Sequence, residues 1–181
     1  MIAVEQLLRE HRLILSLLDL LATAADRIIR NDDPPREFLE GAMTFCRDFA
    51  DKAHHYKEEY VMFGLLAQRH DGVLDGEIER HRAQHEHCRN LVTEISGGLD
   101  SYEKGSETSR RLLHRSISEY VDTLRSHIRS ENVVFFPMVE EALTSEDDES
   151  LLADFRKYEE QVGTDLISTY TNLVEELAGQ V

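Results

Sequence analysis

Apolar residues recur along most of this chain at the three- and four-residue steps that put them on one face of a helix. The first such stripe is Val4, Leu8, His11, Leu15, Leu18, Ala22 and Ala25. Another is Leu74, Ile78, His81, His85, Cys88, Val92, Ile95 and Leu99. A third runs Ile117, Val121, Leu124, His127 or Ile128, Glu131, Phe135 and Met138, and the last is Leu152, Phe155, Val162, Leu166, Leu173 and Leu177. Four turn-rich stretches separate the stripes: RNDDPPRE, RHDGVLDGE, SGGLDSYEKGSE and LTSEDDES. In the first of these Asp33 reads as a helix cap and Pro34 as the opening helical residue. The last is acidic enough to start a new helix. Together these signals predict helices near 2–31, 35–70, 75–98, 107–143 and 149–178. Connections this short make sequential helices antiparallel neighbours.

Composition supports an all-α fold. Only 9 glycines and 3 prolines occur in 181 residues, too few turn formers for a sheet protein, and 41% hydrophobic content suffices for one domain with a sizeable core. Asp and Glu number 36 against 20 Lys and Arg, a net charge of −16 that repels phosphate backbones and argues against nucleic acid as a partner. No apolar run approaches the ~20 residues of a membrane helix. The start MIAVEQLLREHR lacks the basic-then-apolar order of a secretory signal. Cys46 and Cys88, without CxxC spacing, read as core thiols of a cytoplasmic protein.

The histidines change the picture. Four of the nine, His11, His81, His85 and His127, fall inside stripes that should face a core. Burying that many polar rings without partners would cost several kcal/mol. A metal removes the cost, because imidazole and carboxylate lone pairs become ligands.

The second helix contains HHYKEEYVMFGLL and offers two pairs at i, i+4: His54 with Glu58, or His55 with Glu59. An internal echo chooses between them. Aligning His54 with His127 matches Glu58 to Glu131, Val61 to Val134 and Phe63 to Phe136, the pattern H-x-x-x-E-x-x-V-x-F. Shifting to His55 loses the last two matches. His54 and Glu58 are therefore assigned to the interior, with His55 and Glu59 on the flank or in outer support.

Five histidines and two carboxylates suit two adjacent ions. Two octahedral ions offer about twelve positions. Two bridging carboxylates fill four, five imidazoles five, and a bridging oxo or hydroxo group two, leaving one open for a small ligand. Histidine and carboxylate without thiolate favour iron, manganese or zinc. Val134 and Phe136 read as the dry wall beside the metals, with a kink or repacking at Pro137. His87 should face solvent, and His70 lies at a helix end. His114, 13 residues from His127 and roughly 20 Å along the axis, is too far to join the site. Tyr56, Tyr60 and Tyr120 read as core aromatics.

The pieces EHR at 10–12, HHYKEEYVMF at 54–63, HRAQHEHCR at 81–89 and HIRSENVVFFP at 127–137 resemble the hemerythrin-like family of HHE cation-binding domains, in its bacterial branch. The resemblance covers residues 1 to about 143. It implies an antiparallel up-and-down four-helix bundle over 1–143, with residues 144–181 as a helical extension packed on the bundle or on a second copy. It further implies two non-haem iron ions with an oxo or hydroxo bridge, held by His11, His54, Glu58, His81, His85, His127 and Glu131, with Glu58 and Glu131 as bridges. The implied activity is reversible binding or sensing of O2, nitric oxide or peroxide, or iron handling, in a monomer or homodimer. Two features depart from the family pattern. Phe63 is followed by Gly64 where Phe-Pro is common, and Glu131 lies four residues after His127, where oxygen carriers place an aspartate five after. A redox enzyme acting on nitric oxide or peroxide is the alternative. A ferritin-like oxidase is disfavoured because no E-x-x-H occurs, and a metal-free helical bundle is the remaining reading.

Overall fold

The computed structural model describes residues 1–69, 72–163 and 165–181; His70, expected at a helix end, lies outside the described residues. Six helices account for the architecture, with no strand among the described residues. Helix α1 is Ile2–Ile29. Helix α2, residues 36–69, is continuous but changes pitch: α-helical over Arg36–Phe45, π-helical over Cys46–His55 and Lys57–Met62, and α-helical again over Phe63–Arg69. Helix α3 is Asp75–Glu103. Helix α4, residues 107–142, joins Glu107–Ser130, a π segment Glu131–Phe135 and the closing turns Phe136–Ala142. Helices α5 and α6 are Ser145–Val162 and Leu166–Ala178.

Contacts between helix ends give the directions of α1 to α4. Arg36, at the start of α2, pairs with Asp100 and Glu103 at the end of α3. Arg110, at the start of α4, reaches Asp33 and the Ile28 carbonyl just past and within the end of α1. Arg80, early in α3, bonds Ser130 late in α4 at 3.0 Å. Consecutive helices of the four-helix bundle thus run antiparallel.

The predicted elements are present, with differences that have physical causes. Asp33 does not cap α2. Its carboxylate is taken by Arg110 and Tyr102, which hold it below the usual aspartate range, and the helix begins after Pro35. The acidic stretch at 144–150 does start a helix, through a capping box in which Thr144 and Asp147 bond reciprocally. The single helix expected over 149–178 is broken, because Gly163 adopts φ 128°, a conformation closed to residues with a Cβ. Val162, placed in that helix's apolar stripe, is 44% exposed.

Two apolar clusters fill the interior. One, containing Leu17, Leu21, Phe38, Phe45, Ile95 and Leu124, occupies the half where α1 ends and α2 begins. The other gathers Leu7, Phe63, Ile78, Phe135 and Val139 at the opposite end. Helix α6 adds Val174 and Leu177 to the first cluster, and α5 adds Leu151 and Phe155 to the second. Between the clusters lies a layer of buried polar side chains.

Candidate metal centre

The polar layer is built by four helices. Helix α1 contributes Glu10 and His11; α2 contributes His54, His55, Lys57, Glu58 and Glu59; α3 contributes His81 and His85; α4 contributes His127 and Glu131. All seven residues expected as ligands are buried here. Both central carboxylates are fully buried, at 0% exposure for Glu58 and Glu131. Their oxygens stand among imidazole nitrogens: His11 Nε2 lies 3.2 Å from Glu131 and 3.8 Å from Glu58, His54 Nε2 3.3 Å from Glu58, His85 Nε2 3.5 Å from Glu58, and His127 Nε2 3.1 Å from Glu131. His81 approaches Glu131 through Nδ1 at 3.4 Å.

Backbone pitch explains how α2 supplies so many groups. The N–H of Tyr56 bonds the Asp51 carbonyl, and that of Phe63 bonds the Glu58 carbonyl, each an i to i−5 bond. Helix α4 repeats the device once: the Phe136 N–H reaches the Glu131 carbonyl. Each central glutamate therefore opens a π turn closed by a phenylalanine, which is the structural content of the echo between 54–63 and 127–136. A wider turn reduces the angle between successive residues, so His54 and His55 both face inward. His55, expected on the flank, is 3% exposed and stacks on His85 at 3.8 Å. Pro137 falls in the first α-helical turn after the π segment of α4, where its missing N–H is tolerated.

The outer nitrogens are occupied. His54 Nδ1 donates to Glu10 at 2.8 Å and His85 Nδ1 to Glu59 at 2.7 Å. His11 Nδ1 donates to the Asn132 amide oxygen at 2.7 Å and His127 Nδ1 to the Gln84 amide oxygen at 3.0 Å. His55 Nδ1 faces Asp51 at 3.4 Å. In a neutral ring, a donating Nδ1–H leaves Nε2 as a bare lone pair. The short contacts to Glu58 and Glu131 crowd ring nitrogens against carboxylate oxygens, and among the described residues seven buried atoms have no hydrogen-bond partner: His11 Nε2, His55 Nε2, His81 Nε2 and all four oxygens of Glu58 and Glu131. His85 and His127 even bring their Nε2 atoms within 2.9 Å of each other. Unpartnered buried polar atoms cost about 1–3 kcal/mol each; a cation turns the same lone pairs into ligands.

Electrostatics differ from ring to ring. Burial disfavours the His54 imidazolium, but Glu58 and Glu10 more than offset this and raise it to about 10. Burial, only partly opposed by Asp51, pushes His55 down to about 4. Burial and the neighbouring His55 and His127 push His85 well down. Burial works against ionising Glu131, yet His127 and His11 hold its carboxyl well below the usual range.

Three groups of ligand atoms converge within 4.8 Å: His11, His54, Glu58 and Glu131; His55, Glu58, His85 and His127; and His81, His127 and Glu131. Glu58 and Glu131 each belong to two of them. The donor set is imidazole and carboxylate without thiolate, the chemistry of iron, manganese or zinc.

The wall around the layer is aromatic, but not where the pattern put it. Val134 is 46% exposed. Phe136 stacks on His11 at 5.5 Å, Phe135 lies 4.8 Å from His81, and Phe63 meets Phe135 edge-on at 5.5 Å. Tyr120 is buried, whereas Tyr60 is 68% exposed. His87 is surface-exposed and pairs with Glu119 at 3.1 Å. His114 is half-buried and outside the layer. Cys46 and Cys88 are buried free thiols, which burial raises to about 12.

Three contributors escape periodicity. Glu10 follows a stripe read through Leu8 and Leu15; the buried face is Leu7, Glu10, His11 and Ile14. Lys57 is buried against Glu10 and also bonds Glu159 of α5 at 2.8 Å. Arg89 holds Glu59 at 2.6 Å and Asp51 at 2.8 Å. Their common signal is a charge one residue from a histidine or glutamate of the layer, or one turn away.

No solved structure shows a significant match to the chain. Curated relatives include two uncharacterized mycobacterial proteins, Rv1995 of Mycobacterium tuberculosis and Mb2018 of Mycobacterium bovis, each 24% identical over 79% of this chain and 55% of the relative. The iron-sulfur cluster repair protein YtfE of Escherichia coli O157:H7 is 26% identical over 70% of this chain and 58% of its own length. The aligned region thus spans a little over half the length of these relatives. No described helix is long and apolar enough to cross a membrane. The hemerythrin HHE cation-binding domain matches residues 2–139, which contain every residue of the polar layer on α1 to α4, and the chain belongs to that family.

Proposed function

We propose that this chain is a non-haem di-iron protein that reversibly binds or senses a small ligand of the O2, nitric oxide or peroxide class. The observation that carries the reading is the pair of fully buried carboxylates, Glu58 and Glu131, whose four oxygens have no hydrogen-bond partner among the described residues and are ringed by imidazole nitrogens. His11 and His54 would complete one metal position, with His85, His127 and His81 the other; both carboxylates would bridge. Two such ions, when bound, supply adjacent Lewis-acidic and redox-active centres for a small ligand. The chain's own residues orient and enclose the site. Glu10, Glu59, Asn132 and Gln84 fix the rings with Nε2 inward, and Phe63, Phe135 and Phe136 exclude water.

Iron is supported over zinc by the name of the YtfE relative, an iron-sulfur cluster repair protein. The repair role in that relative's name favours a second reading, a redox enzyme on this scaffold. A metal-free bundle is disfavoured by the unpartnered atoms, since hydrogen-bonded core histidines would leave no such set.

Metal analysis with optical spectroscopy tests the proposal. About two iron ions per chain are expected, with a near-ultraviolet band that changes on reduction and on adding O2 or nitric oxide. A chain expressed in iron-rich medium that carries no iron overturns it.

A further inference from the structure

A cavity of about 660 Å³ lies between α2 and α3 and touches α4. Lys52, Thr93 and Gly97 line it and are exposed, so its rim is at the surface. Its depth is lined by Cys46, Cys88, Val92 and Tyr120, and it reaches His55 and Asp51. Of the buried histidines of the polar layer, only His55 lines this cavity.

His55 has the bonding pattern of the expected ligands. His11, His54, His85 and His127 each turn Nδ1 outward to a side-chain oxygen and Nε2 inward. His55 does the same, with Nδ1 toward Asp51 and Nε2 buried without a partner. Asp51 is itself held by Arg89 at 2.8 Å, so the brace is anchored. The ligand atoms of His55, Glu58, His85 and His127 converge within 4.8 Å. His81 does not fit this pattern: its Nδ1 points to Glu131 and His127, and its Nε2 has no partner.

We infer that His55 is an additional metal-ligating side chain, the exchangeable one, which occupies the coordination position facing the cavity and yields it to an incoming small ligand. The inference rests on the two-metal reading above. Five imidazoles, two bridging carboxylates and a bridging oxygen leave one of about twelve octahedral positions empty, and His55 fills it. The neighbouring cavity gives both the room for the displaced ring and the route for the ligand.

The test uses the full chain loaded with ferrous iron and reads iron per chain, the visible spectrum and the affinity for azide. A wild-type chain that binds no iron overturns the two-metal reading, and this inference with it. With iron bound, His55→Phe keeps a ring stacked on His85 and is expected to retain the wild-type helical circular dichroism. Its visible spectrum should shift, and azide should bind about tenfold tighter, because the competing ring is gone. His55→Ala should show the same changes, and added imidazole, which the cavity can admit, should restore the wild-type spectrum. Wild-type spectrum and azide affinity in His55→Phe, with iron content intact, overturn the role of His55 and leave the two-metal reading standing. Failure of imidazole to restore the spectrum of His55→Ala also overturns it.

Discussion

The segments 54–64 and 127–137 repeat one spacing of histidine, glutamate and phenylalanine, and each closes a π turn from its glutamate to its phenylalanine. They differ in what surrounds the rings. Around α2 the outer nitrogens of His54, His55 and His85 face carboxylates: Glu10, Asp51 and Glu59. Those carboxylates are in turn tied to Lys57 and Arg89. At α4 the corresponding partners are neutral amides, Gln84 for His127 and Asn132 for His11. A carboxylate partner makes an imidazole more basic than an amide does. One spacing therefore presents two electronically different sides to the same central carboxylates.

The largest effects should ignore this asymmetry. Glu58 and Glu131 belong to groups on both sides, so Glu58→Ala and Glu131→Ala should each abolish iron loading and the associated spectrum. Iron content after reconstitution is the measurement. Retention of iron by Glu131→Ala would remove it from the ligand set.

The asymmetry itself appears in the next rank. Lys57 and Glu10 have side chains only 3% and 2% exposed. Lys57→Met takes from the buried Glu10 one of its two cationic partners and leaves only His54, so the loss should lie at the lower end of the about 3–5 kcal/mol that breaking a buried pair costs. Asn132→Ala removes a neutral partner from His11 and should cost about 1–3 kcal/mol. Chemical denaturation of the metal-free proteins compares the two. Equal losses would show that the charged bracing around α2 adds nothing over an amide.

How much of this was readable from residue pattern follows the same division. The α4 side was legible as far as His127 and Glu131, which keep α-helical spacing up to the π turn; past them the pattern failed, because Val134 lies within that turn and is 46% exposed. On α2 the pattern chose His54 over His55, yet both rings are buried, because a π helix has no signature in a search at 3.6-residue spacing. The start expected at 107 holds, with Ser106 as its cap, whereas the start expected near 149 lies at Ser145, where Thr144 caps the helix. Periodicity misses the break at Gly163, where a positive φ breaks a stripe that continues on both sides. The ion-pair bracing was hidden because Lys57 and Glu159 lie 102 residues apart and meet only once α5 packs on the bundle.

Adjacent residues of α2 should also respond to pH with opposite sign in the metal-free protein. His54 is raised to about 10 when folded, from an ordinary value near 6.5. Its contribution to stability is complete below about 6.5 and is lost as pH rises toward 10. His55 is lowered to about 4. Its contribution is present above about 6.5 and is lost as pH falls toward 4. Stability of the metal-free chain should therefore fall on both sides of about pH 6.5. His54→Gln should flatten the alkaline limb and His55→Phe the acid limb, measured by denaturation midpoints across pH. An alkaline limb that survives His54→Gln would assign it to another group.

The smallest effect concerns the one position where the echo breaks. Gly64 follows Phe63 as Pro137 follows Phe136, but each residue meets the π turn differently. Proline has no N–H to place and restricts φ, so it suits the first α-helical turn after the bulge on α4. Glycine has no such advantage on α2. Gly64 has no positive φ, and a Cβ added to it would meet nothing within 4 Å. Its backbone freedom is then only an entropic cost of folding, and Gly64→Ala should stabilise the chain by about 0.5–1 kcal/mol. Thermal or denaturant unfolding of the metal-free protein reads the change, and iron content should stay at the wild-type level. A Gly64→Ala chain that loses iron while remaining folded would mean that glycine is needed there for the π turn to form around Glu58. The two halves of the echo would then reach one backbone geometry by different means, a rigid proline on α4 and a permissive glycine on α2.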